Sequence, residues 1–399
     1  MSNKHTPGMA LAIPLGLMAG LGPLCIDLYL PALPQLAEDL SLSSTGAQLS
    51  LTAGLAGLGL GQLIFGPLSD KYGRIRPLLV SLLILIVASI ACAYAQSLPQ
   101  LLAARLLQGL GGAGGAVLSR AIARDNFNGH LLTKFFAMLL LVNGLAPILA
   151  PILGSAMMSV TNWRGLFLTL SSIGLLLLLM TRLKVAESLK VENRSEGPLL
   201  RAWLQPLHVI QQRYFMGYCL TQGFMMAGMF AYIGASPFVL QQLYGMSPQA
   251  FSFCFAINGL GLILASQISS RLCPLFGEYA ILKAGLLLGF TASLLLVICS
   301  AWQAPLPLIL CALFFSISSN AIISTTASSL AMQSQGKRAG SASAVIGVTM
   351  FALGSLAIPI AGLGGTTALS MSTTIFGCFS LACLMFLLLA QRPQPKTNR

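Results

Sequence analysis

Apolar runs recur along this chain from end to end, broken only by short intervals of charged residues, glycine and proline. A hydrocarbon core about 30 Å thick is crossed by about 20 apolar residues rising 1.5 Å each as a helix. On that measure the pattern predicts twelve helices, over 9–31, 47–68, 77–97, 100–123, 132–158, 164–183, 213–240, 249–270, 280–301, 305–330, 340–362 and 367–390. The short alternating segments of a membrane β-barrel are missing. The expected fold class is all-α and polytopic, with twelve transmembrane helices. The longest polar interval, 184–212, contains "KVENRSEGP" and follows the sixth helix. It predicts a cytoplasmic linker between an N-terminal six-helix half, 1–183, and a C-terminal one, 213–390, with a cytoplasmic tail at 391–399.

Composition agrees: 56% of the 399 residues are hydrophobic, 8% are charged, and there are 40 glycines. The net charge of +13 would suit a nucleic-acid partner only if the basic residues shared a soluble face. They do not, because every Lys and Arg except Arg105 and Arg164 falls on the same side once the spans are drawn. Basicity therefore reports orientation, with both termini cytoplasmic and no nucleic acid expected. The apolar N-terminus reads as an uncleaved first span, since no small-x-small cleavage site precedes Asp27.

The nine cysteines lie in or beside spans without a C-x-x-C pair, which suits packing better than metal binding or disulfides. His5, His130 and His208 fall in the tail or in loops. No metal site, cofactor or enzyme chemistry is expected. An ATP-driven pump is disfavoured because no G-x-x-x-x-G-K-[ST] loop is present.

Residues 61–71, "GQLIFGPLSDK", align without gaps on 261–271, "GLILASQISSR", matching Gly61 with Gly261, Ser69 with Ser269 and Lys71 with Arg271. This short internal copy supports two halves in parallel orientation around a midplane cavity. Between the second and third spans lies "GPLSDKYGRIRP", residues 66–77. Gly66 and Gly73 would permit a tight turn there, Pro77 would open the next helix, and Asp70, Lys71, Arg74 and Arg76 would set opposite charges at the membrane face. A plain basic loop does not require G-x-L-S-D-x-x-G-R in that order. The segment resembles the loop signature of the major facilitator superfamily. The resemblance implies that Gly66, Asp70, Gly73 and Arg74 form a gate loop whose charges fasten the two halves in one state.

In the fourth span, "RLLQGLGGAGGAVLSR" places Arg105 among apolar residues. Either it snorkels to the outer interface, or, as the family's R-x-x-Q-G motif implies, it takes part in proton transfer. The trailing glycines let neighbours approach closely. The fifth span, "NGLAPILAPILGSAM", resembles the antiporter-associated G-x-x-x-G-P-x-x-G-G motif. Pro151 and Gly154 match it, while Ala146, Ala150 and Ser155 stand where glycines are usual. Pro147 and Pro151 would kink this helix.

Only nine acids occur, and eight fall in intervals or at helix ends; Asp27 lies inside the first span. It is either an interfacial Asp satisfied by water or a proton carrier facing the cavity. Burial favours the protonated carboxyl and a neighbouring Arg105 the charged one, so a group balanced between them could exchange a proton for a substrate. "DLYLPALP" resembles the bicyclomycin-resistance (Bcr/CflA) branch of drug/proton antiporters, whose run there is D-[ML]-Y-L-P-A-L-P. Some relatives carry a second acid two turns earlier, where this chain has Ala19.

The resemblance implies a monomeric, proton-coupled efflux antiporter of the bacterial inner membrane. Its substrates would be small amphipathic drugs of bicyclomycin or chloramphenicol type, and its other partners protons and membrane lipid. A dedicated exporter of one metabolite, or a non-transporting receptor on the same fold, are the alternatives. Candidate pocket residues are Tyr29, Asn143, Gln222, Met226, Phe230, Asn258 and Asn320: soft apolar groups with amides that are costly mid-helix unless they find a partner.

Overall fold

Small polar residues start the long helices. Ser43, Asn162, Ser247 and Thr367 each stand just before an apolar run and accept a backbone N–H from its first turn, at 3.1 Å from Gly46, 3.1 Å from Arg164, 3.2 Å from Ala250 and 3.1 Å from Ser370. A computed structural model of the chain describes residues 12–127, 129–195, 207–333, 335, 339–365 and 367–390. Residues 196–206 of the expected linker and the tail at 391–399 lie outside that set, as does the side chain of Asn143.

The helices are α1 (Ala12–Ala19), α2 (Leu21–Asp27), a 3-10 turn (Leu30–Ala32), α3 (Leu33–Asp39), α4 (Ser44–Tyr72), α5 (Ile75–Ala93), α6 (Leu98–Asn126), α7 (Gly129–Met157), α8 (Trp163–Lys184), α9 (Leu207–Ile210), α10 (Arg213–Pro237), which continues as a π-helical turn to Leu243, α11 (Pro248–Phe276), α12 (Glu278–Ala301), α13 (Leu306–Met332), α14 (Ala339–Gly362) and α15 (Ala368–Leu389). Among the described residues there is no strand. Among the described residues, ten helices are long and apolar enough to cross a membrane. With the broken α1–α3 segment and α7 they make the twelve crossings of an all-α, multi-pass membrane protein.

The first span is not the single helix that the pattern over 9–31 suggests. It breaks at Gly20 and again after Asp27, where the chain passes through Leu28 and Tyr29 into the 3-10 turn and then α3. Proline has no N–H to give to the carbonyl four residues back, so Pro31 and Pro34 each stop a helix and open the next element from its first turn. Several helices also run past their apolar stretches. α4 reaches Tyr72 and α11 reaches Phe276, because helical hydrogen bonds are local and persist into polar sequence.

The chain divides into two compact units, Met1–Trp203 and Leu204–Arg399. In the first, α6 is the axis, and its glycines admit neighbours on three sides. Gly109 lies against the backbone of Gly54 on α4, and a Cβ on Gly111 would sit 2.6 Å from Leu85 N on α5. A Cβ on Gly115 would sit 3.0 Å from Met18 O on α1. Leu15, Met18, Leu21, Leu82, Leu85 and Leu118 fill the core around it. In the second unit α10 takes the central place. Its Gly223 meets Thr349 of α14, its Gly228 meets Cys378 of α15, and its Gln222 bonds Ser324 of α13.

Candidate functional site

Arg105 is fully buried (0% exposed), so the snorkelling alternative does not describe it. Its Nη1 donates to the Cys25 carbonyl of α2 at 2.9 Å and to Gln108 Oε1, and its Nε donates to the Ser50 carbonyl of α4 at 3.3 Å. Gln108 follows one turn later on the same face and passes the chain on to Ser89 Oγ at 2.8 Å. The guanidinium also lies 4.5 Å from the Tyr29 ring centroid and 5.5 Å from that of Phe167. One residue thus ties the first, second and fourth crossings at the end of α2. Its Nη2 is buried without a hydrogen-bond partner and faces Gly54, where a Cβ would come within 2.8 Å.

Asp27 is the last residue of α2 and 4% exposed. It makes no ion pair with Arg105, which is bonded two residues earlier to the Cys25 backbone. After Asp27 the chain is held from two more directions. Tyr29 is fully buried, its hydroxyl 3.0 Å from Ser50 Oγ and its ring 5.2 Å from Phe167. Gly154 of α7 packs against the Leu28 carbonyl so closely that a Cβ there would collide with the oxygen. Pro147 and Pro151 lie inside α7, on either side of Ala150, with Gly154 in the next turn. The structure therefore brings Asp27, Tyr29, Arg105 and Gly154 to one break in the first crossing.

The 66–77 segment is mostly helix. Gly66 through Tyr72 belong to α4, and only Gly73 and Arg74 separate it from α5. Gly73 is needed in the turn, with φ +89°, whereas Gly66 is helical and a Cβ on it would meet nothing within 4 Å. Arg74 donates from Nη1 to Asp70 Oδ1 at 2.5 Å and Ser69 Oγ at 2.8 Å, and from Nε to Asp125 Oδ2 of α6 at 2.8 Å. Burial works against its charge, but the bonds to Asp125 and then Asp70 outweigh it and raise the pKa.

The start of the linker lies on this turn. Glu187 accepts the backbone N–H groups of Arg74 (2.9 Å) and Ile75 (3.2 Å), capping α5, and Ser195 N donates to the Asp70 carbonyl at 2.8 Å. Burial pushes the Glu187 carboxyl up, yet the N–H donors of Arg74, Leu189 and Ile75 and the charge of Arg194 prevail and lower it. Asp125, an interval acid by sequence, and Glu187 both partner Arg74, although no spacing along the chain links them to it. Only the R-x-x-Q spacing offered a signal for Gln108.

The Gly61–Gly261 alignment is not the register in which the helix ends of the two units coincide; that register lies one helical turn away. Ser43 and Ser247 cap helices of equal length, 29 residues, which end at Gly73 and Gly277, both with positive φ. In that register Arg74 corresponds to Glu278 and Asp125 to Ser329. Glu278 accepts from Ser329 Oγ at 2.7 Å and from Gln333 at 2.5 Å. Each unit therefore ties the same two helix ends, with an arginine in one and a glutamate in the other.

The candidate pocket residues of the second unit each have their own partners. Gln222 spans α13 and α14 through Ser324 (3.0 Å), Ser328 (2.8 Å) and Met350 Sδ (3.4 Å). Asn258 donates to the Tyr232 hydroxyl at 2.8 Å, and Asn320 donates to the Ser316 carbonyl at 3.1 Å, leaving its own Oδ1 buried without a partner. Phe230 packs on Gly354, with its ring 6.1 Å from Phe351, and Met226 is half-buried nearby on α10.

Residues 15–359 match the Major Facilitator Superfamily. The chain is 40% identical to the Bacillus subtilis (strain 168) protein described as an uncharacterized MFS-type transporter, YdgK, covering 95% of this chain and 94% of that one. It is 28% identical to a bicyclomycin resistance protein homolog of Haemophilus influenzae, covering 98% of each. Among solved structures, a bacterial homolog of the human lysosomal transporter Spinster superposes with a TM-score of 0.74 at 16% identity, over 98% of this chain and 100% of that one. With twelve crossings, the Asp70–Arg74 turn and a family match that runs through both units, the chain belongs to the major facilitator superfamily.

Proposed function

We propose that this protein is a proton-coupled efflux antiporter that exports small amphipathic drugs of bicyclomycin or chloramphenicol type by alternating access. Its two six-helix halves, 1–183 and 213–390, are joined by a cytoplasmic linker at 184–212, with both termini in the cytoplasm. The carrying observation is Asp27: a buried carboxylate ending α2, without an ion pair, at a break that residues of four neighbouring crossings, α4, α6, α7 and α8, contact. Such a group is costly in a membrane unless its protonation is used. The likeness to a protein named for bicyclomycin resistance supports the substrate class.

Drug binds from the cytoplasm when Asp27 has released its proton. Protonation from the outside then discharges the drug and resets the carrier. Arg105 leaves Nη2 uncommitted, an N–H group available to a carboxylate that has lost its proton. The test is collapse of an imposed pH gradient in everted membrane vesicles on adding bicyclomycin or chloramphenicol. The gradient should collapse with the unaltered chain and persist with Asp27→Asn. Equal collapse in both removes Asp27 as the proton carrier, and no response to a broad drug panel favours a dedicated metabolite exporter.

A further inference from the structure

At the end of the first unit away from the Asp70 turn, α5 finishes at Ala93 and α8 begins at Trp163. Between them lies a cavity of about 400 Å³ whose lining includes Arg164, Tyr94, Gln96, Asn162 and Leu168 and no acidic side chain. Arg164 is half-buried there. Its Nη1 donates to the carbonyls of Ala93 and Ala95, both at 2.8 Å, and its guanidinium stands 4.2 Å from the Trp163 ring. Asp39 is engaged by Trp163 Nε1 at 2.7 Å and makes no ion pair with Arg164. The cation is therefore fixed by carbonyls, and among the described residues no carboxylate pairs with it.

Two exposed apolar stripes lead to this cavity. On α5, Val80, Leu83, Val87 and Ile90 repeat at helical spacing and end at Tyr94, which is 71% exposed. On α8, Leu168, Leu175, Leu179 and Leu183 do the same, starting beside Arg164. α5 and α8 pack side by side, so the stripes flank one cleft in an apolar, lipid-facing surface. Tyr94 at its head, exposed where Trp163 is fully buried, marks the level where aromatic rings meet the headgroups.

We propose that this cleft binds an anionic phospholipid of the leaflet opposite the Asp70 turn. Its phosphate sits on Arg164 within the cavity, and its acyl chains lie between the α5 and α8 stripes. A hydrated ammonium would gain less here, because Arg's planar fork can hold two carbonyls on one nitrogen and still offer N–H groups to phosphate oxygens. One basic residue at an anionic headgroup contributes about fivefold in affinity.

The full chain, purified in detergent and stripped of lipid, is titrated with phosphatidylglycerol or phosphatidylcholine, and retained lipid is counted by native mass spectrometry. The unaltered protein should retain phosphatidylglycerol about fivefold more tightly than phosphatidylcholine. Arg164→Gln should abolish the preference and Arg164→Lys keep only a minor part of it, since an ammonium held by the Ala93 and Ala95 carbonyls has fewer N–H groups left for phosphate. Gln96→Glu places an anion in the lining at an exposed position, so it should weaken retention without disturbing the Ala93 and Ala95 carbonyls, and it serves if Arg164→Gln fails to fold. Equal retention of both lipids, or a preference that survives Arg164→Gln and Gln96→Glu, overturns the proposal. So does inorganic phosphate giving the same protection against thermal unfolding while no lipid is held.

Discussion

Arg105→Lys separates the charge of Arg105 from its shape. Lysine keeps the cation but is a single point donor on a flexible stem, whereas the arginine fork reaches Cys25 O, Ser50 O and Gln108 Oε1 at once. An ammonium confined to that buried site can satisfy one of the three acceptors well and leaves two short of a donor. Hydrogen bonds between membrane helices contribute roughly 0.6–2 kcal/mol each, and two of the three, to Cys25 O and Ser50 O, are of that kind, so the loss is about 1–4 kcal/mol, before the weakened contact with the Tyr29 ring is counted. The assay is reversible unfolding of the purified protein in mixed micelles, alongside drug-dependent gradient collapse in vesicles. We expect lower stability by that amount and impaired coupling, despite the retained charge. If Arg105→Lys unfolds within about 0.5 kcal/mol of the unaltered protein, the size of an ordinary surface change, and couples normally, then only the charge matters and the three-way tie is not what holds the break.

The remaining expectations concern glycines and the turn. Gly154→Ala should lower folded yield and transport, because its Cβ collides with the Leu28 carbonyl; Gly66→Ala should leave both unchanged or raise stability by up to about 1 kcal/mol, since it is helical and meets nothing. Thermal unfolding of the two variants side by side reads the contrast. Asp125→Ala removes a charge-assisted bond to Arg74 and should cost about 2 kcal/mol, measured by the same unfolding titration. Glu187 has a lowered folded-state pKa, so its capping of α5 is fully present above the ordinary glutamate value of about 4.3 and is lost as pH falls through the lowered one. Hydrogen exchange of the Arg74 and Ile75 amides should accelerate across that acidic window in the unaltered chain, and be fast at every pH in Glu187→Gln.

Much of the architecture was legible because membrane spans are written in continuous apolar sequence. The break in the first span was not, although Pro31 and Pro34 announced it: Leu28, Leu30 and Leu33 are as apolar as any helix, and hydropathy cannot see a missing N–H. The Asp70–Arg74 pair could be read from spacing on one helix end. Asp125 and Glu187 could not, since they reach Arg74 through the packing of α6 and the path of the linker. Gly66 illustrates the opposite error. A glycine in a recognisable signature invites a turn, yet the local helix continues, and the positive φ belongs to Gly73 alone.

The most direct test of the account is the proton released when drug is added to purified protein in weakly buffered detergent solution. The unaltered chain should release protons in proportion to bound bicyclomycin or chloramphenicol, and Asp27→Asn should bind without release or fail to bind. Proton release of the same size from Asp27→Asn would contradict the assignment of Asp27 as the carboxylate that couples export to the proton gradient.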